Sequence, residues 1–218
     1  MTDAIFITLE GPDGAGKSSQ LGRLADRVRA LGRDVITTRE PGGTAVGEKV
    51  REVLMYSAAG SLDPATDALL FNAARSRHVR EVIRPALDRG AVVICDRYGD
   101  SSRAYQGYGG GVPMATLDSV IDLATAGLVP TRTVLVDLPV AAGLARRQAG
   151  ESHGLTRFET DEAAHGTDFH ERVRAGYLEM ASAEPARWRI VDGSREPADV
   201  ADQIWSAVAD LFEAAPGG

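Results

Sequence analysis

A chain of 218 residues with 44% apolar and 25% charged side chains suits one compact domain with a full core, and that composition excludes global disorder. A net charge of −7 argues against a sequence-independent grip on DNA, RNA or an anionic membrane, although a local arginine cluster can still hold a small anion. Cys95 is the only cysteine, so neither an intrachain disulfide nor a cysteine-based zinc site is available, and at the end of AVVIC it reads as a buried thiol.

AIFITL (4–9) reads as a buried parallel strand. It is too short to span a membrane and follows no basic leader, so a cytoplasmic protein is expected. A glycine loop follows, then a helical pattern from about Ser18 to Leu31 that stops at Gly32. DVITT (34–38) is a second strand, REPGGT (39–44) a loop, and 45–56 a helix. Residues 63–90 are strongly helical, with Asp63 and Pro64 as a start signal and Pro85 as a break or kink. AVVIC (91–95) is a third strand, followed by helical patterns at 100–107 and 113–126 around the glycine-rich YGGGV. TRTVLVDL (131–138) is a fourth strand, and a helix over 140–149 leads into the polar GESHG. A helix at 168–183, a short strand WRIV (188–191), a helix at 197–213 and a fraying tail complete the chain. His78, His153, His165 and His170 show no metal spacing.

Strands alternating with helices predict an α/β fold: a parallel sheet of about five strands with helices on both faces. Such sheets bind ligands beyond the carboxyl ends of their strands. Three polar features fall there: the glycine loop, REPGGT, and Asp96 with Arg97.

The glycine loop GPDGAGKSS runs through Gly11, Pro12, Asp13, Gly14, Ala15, Gly16, Lys17, Ser18 and Ser19. It fits G-x-x-x-x-G-K-[ST], directly after a strand and opening a helix, as a phosphate-binding P-loop requires. Its backbone N–H groups and the helix dipole suit the phosphates of ATP. Lys17 reaches the β- and γ-phosphates, and Ser18 ligates Mg²⁺. Of 24 basic residues only Lys17 and Lys49 are lysines, so a lysine in this loop stands out. Asp96, presented by a buried strand, is the second candidate for Mg²⁺, and Arg97 beside it suits a phosphate clamp. Asp13 is the odd residue, since a carboxylate repels phosphate.

The combination of EGPDGAGKSS, TREPGGT, LLFNAARSRH, DRYGDSSRAYQG and TRFE resembles the bacterial thymidylate kinases, from residue 5 to about 195. The resemblance implies a P-loop NTPase-type fold with a short mobile lid at about 146–160, over a single domain spanning 1–218. It implies transfer of the γ-phosphoryl of ATP to dTMP with Mg²⁺, a step toward dTTP, usually by a homodimer, with no nucleic-acid polymer or membrane as partner. It turns Asp13 toward the sugar and phosphate of dTMP. Phe71 resembles the aromatic that stacks on thymine, and Arg75 the arginine that bonds a thymine carbonyl. Arg97 and Arg51 resemble the monophosphate grip, framed by Glu40 and Pro41. Ser102 resembles a polar contact to the base, Tyr105 the tyrosine that selects deoxyribose, and Gln106 its neighbour in that wall. Asp137 reads as structural.

The loop lacks the catalytic arginine that some members of the family carry, which implies that lid arginines supply that charge. Arg146, Arg147 and Arg157 are the candidates; one is expected to stack on adenine and another to touch the moving phosphoryl, without a choice among them. DEAAHGT (161–167) looks inserted. Two rival readings are a kinase for another nucleoside monophosphate or a deoxynucleoside, and a nucleotide switch. The guanine-reading N-K-x-D motif of a switch is absent.

Overall fold

Five apolar runs become five parallel strands, the central three buried on both faces and the two edge strands partly exposed. The structure is a computed structural model that describes residues 4–56, 62–149 and 157–213. The strands are β1 (Phe6–Glu10), β2 (Val35–Arg39), β3 (Val92–Asp96), β4 (Arg132–Asp137) and β5 (Trp188–Asp192), in the order β2-β3-β1-β4-β5. Side chains alternate faces along a strand. On one face Ile5, Ile7, Leu9, Ile94, Val134 and Val136 pack against helices α1 (Lys17–Ala30) and α9 (Pro197–Val208). On the other, Phe6, Val93 and Cys95 meet Val79, Ile83 and Ala86 in the continuation of α3 (Pro64–His78), while Leu135 and Trp188 meet α8 (Arg157–Ala183). Cys95 is buried, as expected.

Every strand ends on a charged residue: Glu10, Arg39, Asp96, Asp137 and Asp192. The apolar run stops where the sheet meets solvent or a site. β1 sits at the centre, and β2 and β4 lie on opposite sides of it, so the chain reverses winding direction beside β1. A crevice opens at such a reversal, on the carboxyl side. The remaining elements are α2 (Ala45–Tyr56), α5 (Gly99–Ser102), α6 (Met114–Thr125) and α7 (Val140–Ala149). Among the described residues no helix is long and apolar enough to cross a membrane.

Three expectations need correction. Pro85 does not break its helix: a π turn at Val79–Ile83 joins α3 to α4 (Arg84–Asp88). The change of register absorbs the hydrogen bond that proline cannot donate. The helix expected at 100–107 is α5 followed by a second π turn, Arg103–Gly109. The helix expected at 168–183 begins earlier, since α8 runs from Arg157 through DEAAHGT; alanine and glutamate favour the helix there. GESHG (150–154) and the tail AAPGG (214–218) lie outside the described residues.

Candidate active site

The glycine loop bridges β1 and α1. Gly11 has φ 141°, and a Cβ there would sit 2.4 Å from the Val136 carbonyl oxygen. Gly14 has φ 78°, and its Cβ would sit 2.3 Å from the carbonyl oxygen of Gly143 on α7. Only glycine allows this closeness together with a left-handed backbone. Lys17 curls back under the loop, its Nζ donating to the carbonyl oxygens of Gly11 at 3.0 Å and Pro12 at 2.9 Å. Burial and the nearby Arg97 bring its pKa down to about 8, against the opposing pull of Asp13, Asp96 and Glu10.

Ser18 Oγ donates to Asp96 Oδ2 at 2.6 Å. A hydroxyl and a carboxylate therefore meet at the mouth of the loop. These hard oxygen donors fit Mg²⁺, which usually takes one or two protein ligands and keeps several waters. Among the described residues no three His, Cys, Asp or Glu side chains gather around a common point.

Arg97 follows β3 with φ 69°, uncommon for a residue with a side chain. The backbone turn, tied by Arg97 N–H to the Leu9 carbonyl at 3.0 Å, aims its guanidinium back across the loop. Its Nη2 donates to Asp13 Oδ1 at 2.5 Å and to the Tyr105 hydroxyl at 3.1 Å. Its Nη1 donates to Ser101 Oγ at 3.0 Å and to the Tyr177 hydroxyl at 3.1 Å. Tyr105 itself donates to Asp13 Oδ2 at 3.1 Å, and Arg147 lies 3.8 Å from the same oxygen. Burial alone would raise the Asp13 pKa. Arg97, Lys17, Arg147 and the Tyr105 hydroxyl outweigh it and hold the carboxyl well below the usual range. The acid in the glycine loop thus belongs to the arginine and tyrosine beside the loop.

Beyond Arg97 the floor is a second buried network. Arg75 is 1% exposed. Its Nε donates to Glu40 Oε2 at 2.7 Å, its Nη1 to Asn72 Oδ1 at 2.6 Å and Ser102 Oγ at 3.1 Å, and its Nη2 to the Tyr98 carbonyl at 3.0 Å. His78 Nδ1 lies 3.0 Å from the other Glu40 oxygen, and its Nε2 2.6 Å from Thr38 Oγ1. The loop 39–44 is therefore bolted to α3 by ionic and hydrogen bonds.

These groups enclose one cleft of about 400 Å³. Its lining includes Asp13, Gly14, Gly16, Lys17, Ser18 and Ser19 of the glycine loop and helix start, Asp96 and Arg97 after β3, Glu40, Pro41 and Arg51, and Phe71, Ser102, Tyr105 and Gln106. Arg51 donates to the Pro41 carbonyl at 3.1 Å. Arg75 stands behind this wall, holding Glu40 and Ser102 rather than lining the cleft itself. Of the lid candidates, Arg147 lines the cleft, whereas Arg146 donates to the carbonyls of Gly193 at 2.8 Å and Ser194 at 3.4 Å beyond β5. Arg157 opens α8, and its side chain lies outside what is described. Asp137 takes a two-pronged bond from Arg174 at 2.8 and 2.9 Å, a structural pair as expected.

Sequence reading missed Glu10, Arg39, Met55, Ser101 and Tyr177. Arg39, Met55 and Ser101 line the cleft. Ser101 lies within the DRYGDSSRAYQG motif and was legible there. Tyr177, deep in α8, carries no local signal.

A family model described as thymidylate kinase matches residues 9–204. The chain is 49% identical to the thymidylate kinase of Thermomicrobium roseum over 95% of its own length and 96% of that protein's. It is 47% identical to that of Caulobacter vibrioides, covering 97% of each. In three dimensions it is similar to the crystal structure of thymidylate kinase from Ehrlichia chaffeensis, with a TM-score of 0.74 and 31% identity over 94% of this chain and 98% of that one.

Proposed function

The chain belongs to the thymidylate kinase family and transfers the γ-phosphoryl of ATP to dTMP, giving dTDP and ADP; on that premise we propose how its residues divide the work. The observation that carries the assignment is one cleft lined by both the glycine loop and Phe71, in which Arg97 bonds Asp13 of the loop and Tyr105. The loop and Lys17 hold the donor triphosphate through backbone N–H groups and a point charge. Arg97 and Arg51 grip the acceptor monophosphate, and Phe71 stacks on the base. Ser102, pinned by Arg75, offers the base a polar contact. Arg75 thus reads the base through Ser102 and fixes the loop of Glu40 and Pro41. Tyr105, held by Asp13 and Arg97, crowds the ribose 2′ position.

Little covalent chemistry falls to the protein, which must align two anions and neutralise charge as the phosphoryl moves. The acceptor phosphate is already ionised at neutral pH, so no side chain serves as general base. Ser18 and Asp96 hold Mg²⁺, which neutralises charge on the phosphate oxygens when bound. Arg147, facing Asp13 in the cleft, supplies the arginine on the moving phosphoryl. Arg146, on the backbone of 193–194, lies on the adenine side. A homodimer is supported by exposed Val46, Val53 and Tyr56 on α2, Leu69 on α3 and Leu123 on α6, since α3 packs against both other helices.

The test is ADP release from ATP and Mg²⁺ with dTMP, dUMP, ribo-TMP, dCMP, dGMP, AMP and thymidine as acceptors. The pocket assignment expects a strong signal for dTMP and a weak one for dUMP, the missing methyl being worth roughly 1–3 kcal/mol. Equal rates on another monophosphate would keep the phosphate chemistry and void the pocket.

A further inference from the structure

Glu10 ends β1 just before the glycine loop and is fully buried, yet no step above uses it. Its Oε1 accepts the Tyr98 backbone N–H at 2.8 Å. Its Oε2 accepts from Ser101 Oγ at 2.6 Å and from the Tyr177 hydroxyl at 3.0 Å. Those two hydroxyls lie 2.8 Å apart, and both receive Arg97 Nη1. Four groups from β1, the β3–α5 turn, α5 and α8 thus form a closed knot behind the arginine.

We propose that Glu10 is a positioning residue for the acceptor phosphate: through Ser101 and Tyr177 it fixes the guanidinium of Arg97.

The argument is a proton count. Ser101 and Tyr177 each bring one hydroxyl proton; above about pH 7, where the buried Glu10 is ionised, its carboxylate brings none and only accepts, so the count and its test apply there. The two protons therefore run toward Oε2, whether each goes directly or the tyrosine proton passes through serine. In either arrangement both hydroxyl oxygens keep a lone pair for Arg97 Nη1. Asp13 and Tyr105 hold Nη2 on the other side, so the guanidinium plane is set at both nitrogens. A glutamine at position 10 fits the space but not the count. With its NH₂ at the Oε2 place it would donate to the hydroxyls and turn a proton toward Arg97. With its NH₂ at the Oε1 place it would face the Tyr98 N–H. Either orientation sets donor against donor.

This inference rests on Arg97 gripping the dTMP phosphate, so its test separates the two claims. Calorimetric binding of dTMP and of thymidine is measured on full-length wild type, Arg97→Ala, Glu10→Gln and Tyr177→Phe, together with KM for dTMP and for ATP. Thymidine lacks the phosphate and reports the rest of the pocket. For Glu10→Gln we expect dTMP binding weakened about tenfold or more, as for loss of a charge-assisted contact. Thymidine binding and KM for ATP should stay within about threefold, inside the usual scatter of such contacts. Tyr177→Phe should follow the same pattern less strongly, and it carries the test if Glu10→Gln does not fold. Equal losses for dTMP and thymidine, or no loss for dTMP, would overturn the role of Glu10. If Arg97→Ala leaves the dTMP-to-thymidine ratio unchanged, the phosphate grip itself is wrong, whatever Glu10 does.

Discussion

The pocket floor and the α7 edge treat their arginines in opposite ways. On the floor, Arg75 spends its guanidinium on Glu40, Asn72, Ser102 and the Tyr98 carbonyl within a shell that excludes water. On the edge, Arg147 reaches Asp13 across 3.8 Å and its side chain is 20% exposed. The floor cation is a brace: its charge is consumed by a partner and its work is geometric. The edge cation lines the cleft, and its proposed work is on the incoming phosphoryl. A similar contrast divides two carboxylates three positions apart in sequence. Four donors or cations hold Asp13 ionised. Glu10, in a dry knot beside Asp100, is pushed up to about 7 by burial and that neighbour, against Arg97 and its hydrogen bonds.

The sharpest break of this contrast is Arg147→Ala. Removing an arginine that meets the moving phosphoryl should cut kcat by about 10³-fold or more, with little change in melting temperature. Arg146→Ala should cost far less in kcat; if it costs more, the two edge assignments are exchanged. Arg75→Ala should do the reverse of Arg147→Ala. It strands Glu40 as an uncompensated buried charge, so denaturant unfolding should show a loss of about 3–5 kcal/mol. A drop in kcat at unchanged stability would show that Arg75 is no brace.

A finer probe acts on the seam between the regions. A Cβ at Gly143 would meet the Asp13 carbonyl oxygen at 2.5 Å, and that atom is backbone that cannot swing aside. Gly143→Ala should push α7 off the glycine loop, costing about 1–3 kcal/mol in stability and raising KM for ATP. Wild-type behaviour would mean the contact yields easily. In the pocket wall, Tyr105→Ala should relax discrimination against ribo-TMP by about tenfold, the scale of one pocket contact, read as a ratio of kcat/KM values. The smallest effect is a pH limb. Lys17 titrates near 8 in the free enzyme, and its ammonium form is the useful one. kcat/KM for ATP should therefore fall as pH rises through about 8, because that parameter reports the free enzyme. The limb in kcat should lie higher, since bound triphosphate favours the charged lysine. A flat kcat/KM for ATP up to pH 10 would mean that Lys17 keeps an ordinary lysine pKa in the free enzyme.

Much of this molecule is written locally. Gly11, Gly14 and Gly16 specify left-handed backbone within one short loop, and that loop forms wherever a strand feeds a helix. The apolar runs determine the three central strands by burying both faces. Asp63 caps α3 through the N–H groups of Ala65 and Thr66, an interaction complete within four residues. Phe71, Ser102 and Tyr105, which line the cleft, were singled out only through the resemblance of their motifs to the thymidylate kinases. The tertiary structure alone decided what depends on distant partners or on helix phase. Tyr177 reaches Glu10 across 167 positions, and Arg97 reaches Asp13 across 84; only the strand order brings these together. Arg146 and Arg147 are adjacent, so on a helix they point about 100° apart. Which of them faces the cleft follows from the seating of Gly143 against the glycine loop. Adjacent residues of one type carry identical local information, and only packing can separate them.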